Sequence, residues 1–404
     1  MEKRIVLLGS TGSIGENVLR IAEDLPERFR IVGLAAGRSA DRVAAQAAET
    51  GASRIAMADP EAARRVAASL VGGARVGGGE EAVRELAATP DADLVVCAMV
   101  GMAALGPVLA AIDAGHDVAL ATKEVLVAAG ELVTARAREK GVNLLPIDSE
   151  HSAIFQALND VGRLPACVRG RPPVDGAARA PSEPLIRQLW LTASGGPFFF
   201  HPEIDLAKVT PAQALRHPRW KMGPKVTIDS ATMMNKGLEI LEARWLFDIP
   251  ADRIGVLVHP ESIVHSLVEF SDGAQIAQLG VPDMRLPIQY AMTWPDRAAN
   301  PSLPRLNLAQ AAALHFHEPD PARFPCLRLA REASAKGGFA TCVMNAANEV
   351  AVAAFLAGRA PLPAIWGTVS RVVSETPPCV GAPTLDALLE SDRWARARAA
   401  ELLG

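Results

Sequence analysis

The first two dozen residues limit how this chain can fold more than any other stretch. Residues 5–8 are a short apolar run that ends on Gly9-Ser-Thr-Gly-Ser-Ile-Gly15, after which Val18, Leu19 and Ile21 recur at helical spacing. A strand that turns through glycines into a helix commits the chain to parallel strands joined by crossovers, because parallel neighbours cannot be joined by a hairpin. Glycines at 9, 12 and 15 also permit a tight turn and a close backbone approach to a pyrophosphate at the helix N-terminus. The spacing is GxxGxxG, not GxGxxG, so an ordinary βα turn stands as the alternative. Strand-like runs at 31–36, 54–57, 94–99 and 118–120 are each followed by an alanine-rich amphipathic segment. The pattern predicts a doubly wound, Rossmann-like α/β domain over residues 1–147.

The second run ends at Gly37-Arg38-Ser39. A site preferring NAD would carry an acid here for the ribose 2′-hydroxyl, whereas an arginine and a hydroxyl suit the 2′-phosphate of NADP. The other reading is a solvated loop arginine. Lys123 and Glu124 fall at the carboxyl end of the 118–120 run, the edge where open α/β sheets bind ligands. Asp148 and Glu150 then follow another apolar run. Read as extended backbone, two residues apart, they point the same way, and close carboxylates repel unless a cation lies between them. Oxygen donors without cysteine suggest Mg²⁺ or Mn²⁺. A helix N-cap with an acid in its first turn is the competing reading. His151 is expected to point away, as a supporting or structural residue.

Residues 217–242 pack several polar groups into a run that hydrophobic periodicity does not require. A Gly/Pro-bearing loop leads into 225–228, read as β-like, with Asp229-Ser230 read as the cap of a following helix. On that helix Asn235 and Glu239 share a face, with Lys236 beside Glu239 at i+3. Amide, ammonium, carboxylate and hydroxyl together suit a phosphorylated substrate, and a surface ion pair on a capped helix accounts for them equally well. The turn at Ser194-Gly-Gly can expose a hydroxyl and amides to phosphate, or be a plain β-turn. Runs at 256–259, 263–270 and 274–279 predict antiparallel strands, giving α+β character to residues 148–294. Residues 163–187, rich in arginine and proline, read as a loop without assignable chemistry. Residues 295–308 read as a linker and 309–404 as a small helical domain.

A net charge of −4 over 404 residues argues against a dedicated nucleic-acid binder. The five cysteines are scattered without a CxxC pair, which suits a reducing compartment and a cytoplasmic location. Residues 94–112 carry no charge, but Gly101, Gly106 and Pro107 interrupt them. They read as a buried strand, turn and helix, not a membrane span.

GSTGSIG (9–15), ATKE (121–124), LLPIDSEHSAIFQ (144–156), LTASGGPF (191–198), HPRWKMGPK (217–225), DSATMMNKGLEILEARWLF (229–247), HPESIVHS (259–266), QLGVPDMRLPI (278–288) and NAANEVAVAAFL (345–356) occur in one order along the chain. Together they resemble the 1-deoxy-D-xylulose 5-phosphate reductoisomerases. The resemblance implies NADPH-binding, catalytic and C-terminal helical domains, a homodimer, a divalent metal and a sugar-phosphate substrate. It implies retro-aldol cleavage and re-addition, then hydride delivery from NADPH, giving 2-C-methyl-D-erythritol 4-phosphate. Carried over by position, Asp148, Glu150 and Glu239 resemble the metal ligands. Lys123 and Ser149 resemble substrate contacts; Lys123 resembles a proton-handling group, as does His217, for which substrate positioning is the other reading. Ser194, Ser230, Asn235 and Lys236 resemble the phosphate pocket, and 217–225 the closing loop, with His217 and Trp220 on substrate. Thr11, Gly12, Ser13, Ile14, Gly37, Arg38, Ser39, Thr122, Glu124 and Gly223 resemble cofactor contacts. Thr122 replaces a common Asn and is expected to keep a weaker polar contact. Val125 and Ala193 are further departures.

Overall fold

The computed structural model describes residues 2–70, 73–160, 185–220, 222–311 and 313–404. Strands β1 (Lys3–Leu8), β2 (Phe29–Ala36), β3 (Arg54–Met57), β4 (Arg75–Gly78), β5 (Leu94–Cys97), β6 (Asp117–Leu120) and β7 (Leu144–Pro146) form a parallel sheet in the order β4-β3-β2-β1-β5-β6-β7. Helices α1 (Ser13–Asp24), α2 (Ala40–Thr50), α3 (Pro60–Ser69), α4 (Glu80–Ala87), α5 (Leu105–Asp113) and α6 (Lys123–Lys140) return the chain between them. Burial on both faces explains why β1 and β5 read as unbroken apolar runs: Ile5 to Leu8 and Leu94 to Cys97 are all buried. The strand order reverses between β1 and β5, which opens the crevice where such sheets bind ligands. Gly9 lies there at φ +88°, where a Cβ would strike the Ala98 carbonyl, and one on Gly15 would strike the Gly9 and Ser10 carbonyls. Only glycine lets the first turn sit this close to β5.

A second sheet holds β8 (Ile186–Ala193), β9 (Ile254–Val258), β10 (Val264–Phe270) and β11 (Gln275–Leu279) in the order β11-β10-β8-β9. β10 pairs antiparallel with both β8 and β11, while β9 runs parallel to β8. β8 already begins at Ile186, inside the stretch read as loop; residues 163–184 of that stretch lie outside the described residues. Helix α7 (Ser149–Asp160) packs on β10 and β11. Next come α8 (Pro211–Ala214), α9 (Pro224–Ala231), α10 (Met234–Phe247), α11 (Arg285–Thr293) and α12 (Leu308–Ala311). A helical layer follows: α13 (Cys326–Lys336), α14 (Ala340–Leu356), α15 (Ala364–Ser374) and α16 (Leu385–Leu402).

Helix α10 is the hub. It packs against α6 on one side and α13 on the other, and Met234, Leu238 and Leu241 share a core with Val127, Leu329 and Val343. Because α10 is covered nearly all round, any acid on it must be paired or neutralised. The segment after α11 is tied down: Lys3 Nζ donates to the carbonyls of Met292 and Trp294 at 2.8 and 3.1 Å, and Asn300 donates to Asp24 at 3.1 Å. The uncharged 94–112 stretch is β5, a 3₁₀ turn and α5. Among the described residues no helix is long and apolar enough to cross a membrane.

Two local expectations are overturned. Residues 225–228 are not β-like but belong to α9, with Pro224 in its first turn. Proline's fixed φ seeds a helix there, and burial of Thr227 and Ile228 outweighs their β propensity. Asp229 and Ser230 therefore lie near the end of α9 and start no helix. The residue before α10 is Met233, left-handed at φ 59° and without a side-chain cap.

Candidate active site

One cleft of about 270 Å³ is lined by residues from β1–α1, α6, α7, β8, the 217–223 loop, α9 and α10. It gathers Ser13, Ile14, Lys123, Asp148, Ser149, Glu150, Ser194, His217, Trp220, Gly223, Ser230, Asn235, Lys236 and Glu239. Thr11, Gly12, Gly37, Arg38 and Ser39 stand outside its wall, on the turns that follow β1 and β2.

Asp148 and Glu150 meet for a reason other than extended alternation. Helix α7 starts at Ser149, and the Ser152 amide donates to the Asp148 carbonyl at 2.8 Å, so both acids sit at a helix N-terminus. Glu239 arrives from the middle of α10. Asp148, Glu150 and Glu239 each offer an oxygen within 4.8 Å of the others. Two ammonium groups lie among them. Lys123 Nζ is 2.6 Å from Asp148 and 3.1 Å from Glu239, and it donates to Asn235 at 2.9 Å. Lys236 Nζ bridges Glu150, at 3.0 Å, and Glu239. Burial alone would lower the Lys123 pKa, but Asp148 and Glu239 overcome it and leave the ammonium well above its usual value. Burial and then the charge of Glu239 push Glu150 up to about 7. The cluster thus holds more negative charge than its two ammoniums balance, and its oxygen-only donors fit a hard divalent cation.

A second acidic group shares Asp148 but lacks an opening to the cleft: Asp148, His151 and Glu242. His151 is fully buried, as is Glu242. Its Nδ1 lies 3.7 Å from Asp148 and 3.4 Å from Glu242, and its Nε2 lies 2.9 Å from the Glu239 carbonyl. His151 therefore does not point away from the ligands; it stands directly behind two of them. Glu242 escaped the sequence reading, because nothing in the local pattern of α10 marks it as buried.

Another wall of the cleft, where β8, the 217–223 loop and α9 meet, offers neutral donors suited to an anion. His217 Nδ1 accepts from the amides of Arg219 and Trp220 at 3.2 and 2.9 Å, which places the ring proton on Nε2. Nε2 faces the hydroxyls of Ser194 and Ser230 at 2.9 and 3.1 Å. Burial lowers the His217 pKa to about 4. The ring is neutral at pH 7, and protonating Nδ1 would turn two accepted bonds into repulsions. In the ligand-free protein the His217 ring is expected to titrate below pH 5 by NMR; a midpoint near 6.5 would contradict this arrangement. Since the folded pKa is the lower one, this residue's contribution weakens folding as pH falls from about 6.5 toward 4.

The cofactor side fits a dinucleotide by its donors. Gly12 precedes α1 without any side-chain cap, so the first amides of that helix are left for a ligand. Ser39 likewise precedes α2 with no capping bond. Arg38 extends into solvent, its Nε 3.4 Å from Asp59. Two residues are committed elsewhere. Thr122 is buried with its hydroxyl on the Met99 carbonyl, and the Glu124 side chain takes Lys225 Nζ at 2.8 Å.

Family models described as 1-deoxy-D-xylulose 5-phosphate reductoisomerase, the C-terminal domain of that enzyme, and DXP reductoisomerase C-terminal domain match residues 5–130, 144–247 and 279–398. A 1-deoxy-D-xylulose 5-phosphate reductoisomerase of Symbiobacterium thermophilum is 50% identical, over 99% of both chains. One from Chlorobaculum tepidum is 47% identical over the full length of both. A solved DOX-P reductoisomerase in complex with NADPH, fosmidomycin and magnesium superposes with TM-score 0.91 at 38% identity, covering 99% of this chain and 98% of that one. The Zymomonas mobilis enzyme in complex with NADPH superposes with TM-score 0.87 at 38% identity, covering 100% and 98%. At such identity over the whole length, this chain belongs to the 1-deoxy-D-xylulose 5-phosphate reductoisomerase family.

Proposed function

We propose that the chain converts 1-deoxy-D-xylulose 5-phosphate to 2-C-methyl-D-erythritol 4-phosphate, using NADPH and a divalent cation, Mg²⁺ or Mn²⁺. One observation carries this reading: carboxylates from the N-terminal end of α7 and the middle of α10 converge in a cleft that Ser13 and Ile14, the first residues of the helix after the glycine turn, also line. When bound, the cation supplies a Lewis acid for the ketose oxygens and NADPH supplies the hydride.

The rest falls to the chain. Asp148, Glu150 and Glu239 hold the cation. Ser194, Ser230, Asn235, Lys236 and the Nε2–H of His217 take the phosphate, binding energy remote from the reacting carbons that fixes their position. Lys123 keeps its proton at Nζ, so it acts as a donor and a fixed positive charge toward substrate oxygens, with Ser149 beside it. Trp220 and the 217–223 loop, of which Lys221 lies outside the described residues, shield the site from water. Thr11, Gly12, Ser13 and Ile14 receive the pyrophosphate, Gly37, Arg38 and Ser39 the 2′-phosphate, and Gly223 the nicotinamide end. Thr122 and Glu124 reach the cofactor through main chain at most, their side chains being engaged. Residues 1–147 form the NADPH-binding domain, 148–294 the catalytic domain, 295–308 a tied-down linker and 309–404 the helical domain. A homodimer is supported by β11, an edge strand with Ile276 and Leu279 exposed, the kind of open edge that natural sheets cover. A cytoplasmic location accords with the free cysteines 97, 326, 342 and 379.

The test is loss of NADPH absorbance on adding the ketose phosphate. Turnover is expected with Mg²⁺ or Mn²⁺ and is expected to vanish with chelator. NADPH oxidation unaffected by chelator, or none in any metal, would refute the assignment.

A further inference from the structure

A buried polar chain crosses three layers of the fold behind the active site and touches none of its carboxylates. Glu124, second residue of α6, accepts from Lys225 Nζ at 2.8 Å. The same ammonium lies 2.9 Å from Asp229, one turn further along α9. The other oxygen of Asp229 accepts from Asn348 of α14 at 2.8 Å. Asp229 is 1% exposed, Asn348 0% and Glu124 7%. Two buried carboxylates beside a partly buried ammonium are costly unless each is held by several partners. Burial favours the uncharged forms, yet Lys225 outweighs it and holds the Glu124 pKa below its usual value.

The placement of this chain gives it a use. Helix α9 begins at Pro224, where the 217–223 loop ends. On α9, Val226 and Ser230 are one turn apart and line the cleft, while Lys225 and Asp229, also one turn apart, carry the ionic contacts. With eight residues, α9 is too short to hold its own orientation. Lys225 ties it to α6 next to Lys123, and Asp229 ties it to the C-terminal layer. The same stretch of α14 also approaches the turn after β5, where a Cβ on Gly101 would lie 3.4 Å from the Glu349 carboxylate.

We propose that Lys225, braced between Glu124 and the Asp229–Asn348 pair, is a positioning residue that fixes α9, and with it Ser230 and the outgoing end of the 217–223 loop, against the sugar-phosphate site. The inference rests on the substrate reading given above. It assigns Glu124 a load between layers and gives the helical layer a part in substrate binding, although no residue of that layer lines the cleft.

The test uses the full-length protein with Mg²⁺. Lys225→Met is expected to raise KM for the sugar phosphate roughly tenfold or more, since misplacement of about 1 Å can cost 10²-fold. The dissociation constant for NADPH, read by fluorescence, is expected to stay within about threefold, because, of the cofactor contacts, only Gly223 and Glu124 adjoin the strut, while those to the pyrophosphate and 2′-phosphate lie on the turns after β1 and β2. Lys225→Arg is expected to recover most of the loss. Asn348→Ala, which leaves no charge unpaired, is expected to shift KM in the same direction by a smaller factor and guards against misfolding of the first variant. Amides of residues 224–231 are expected to exchange faster in Lys225→Met while those of β1 and β5 stay protected. A lower melting temperature with unchanged KM in both variants, or NADPH affinity falling as far as KM rises, would overturn the proposal. If the wild type fails to oxidise NADPH with this substrate, the functional reading fails instead, and the exchange data still decide whether Lys225 holds α9.

Discussion

Replacing Glu239 by Gln is expected to lower turnover by at least about 10³-fold while the NADPH dissociation constant stays within about twofold. Glu239 is 1% exposed and serves as the common acceptor of the cluster: Lys123 reaches it at 3.1 Å, Asn235 at 2.5 Å, and Lys236 closes on its second oxygen. Gln keeps the volume and one acceptor oxygen, so the cavity is unchanged and the loss reads charge. A hard cation bound by two carboxylates in place of three is held far more weakly, and several kcal/mol of charge stabilisation correspond to about three decades in rate. The fold should survive, because Lys123 keeps Asp148 and Lys236 keeps Glu150. The deciding measurement is a Mg²⁺ or Mn²⁺ titration of the variant beside its NADPH affinity. Unaltered metal affinity would remove Glu239 from the ligand set, whatever happened to the rate.

That set illustrates what a sequence can and cannot disclose. The parallel sheet was legible because β1, β2, β3, β5 and β6 bury both faces and so spell continuous apolar runs, separated by helices of steady length. Strand β4, Arg75–Gly78, was not, since two of its four residues are glycine and none is fully buried. Helix α9 was misread because Val226, Thr227 and Ile228 are β-branched, and nothing in the local pattern tells that Lys225 and Asp229 will find Glu124 and Asn348 far along the chain. Asp148 and Glu150 were paired for the wrong backbone reason: helix N-terminus and strand alternation both bring such residues near each other. Convergence with Glu239 was implied only through the resemblance, since α7 and α10 meet by tertiary packing. Lys225, Glu242 and the position of His151 behind Asp148 lay beyond periodicity altogether, because a buried charge is defined by its partners, and those are long-range.

Arg38→Asp is expected to raise KM for NADPH by about 10²-fold and to leave KM for NADH within about threefold. Arg38 stands past the carboxyl end of β2 with its side chain 89% exposed, and among the described residues its ion pair is to Asp59, through Nε at 3.4 Å. The neighbouring Gly37 has open space around it, and the Ser39 hydroxyl caps nothing. An exposed guanidinium and a neighbouring hydroxyl at the carboxyl edge of β2 can turn toward a dianion. A guanidinium–phosphate pair is worth about 1.5–3 kcal/mol, and an aspartate adds repulsion to that loss, so two decades are expected where the 2′-phosphate exists and little where it does not. Asp59 complicates the variant, because its carboxylate caps α3 through the amides of Glu61 and Ala62, and a second acid beside it strains that cap. Arg38→Ala removes the guanidinium without adding charge and separates the two effects: about a tenfold rise in KM for NADPH alone, with an unchanged melting temperature. If both nucleotides respond equally in both variants, Arg38 is a solvated loop residue and the preference for the phosphorylated cofactor must be built elsewhere on the β1–β2 edge.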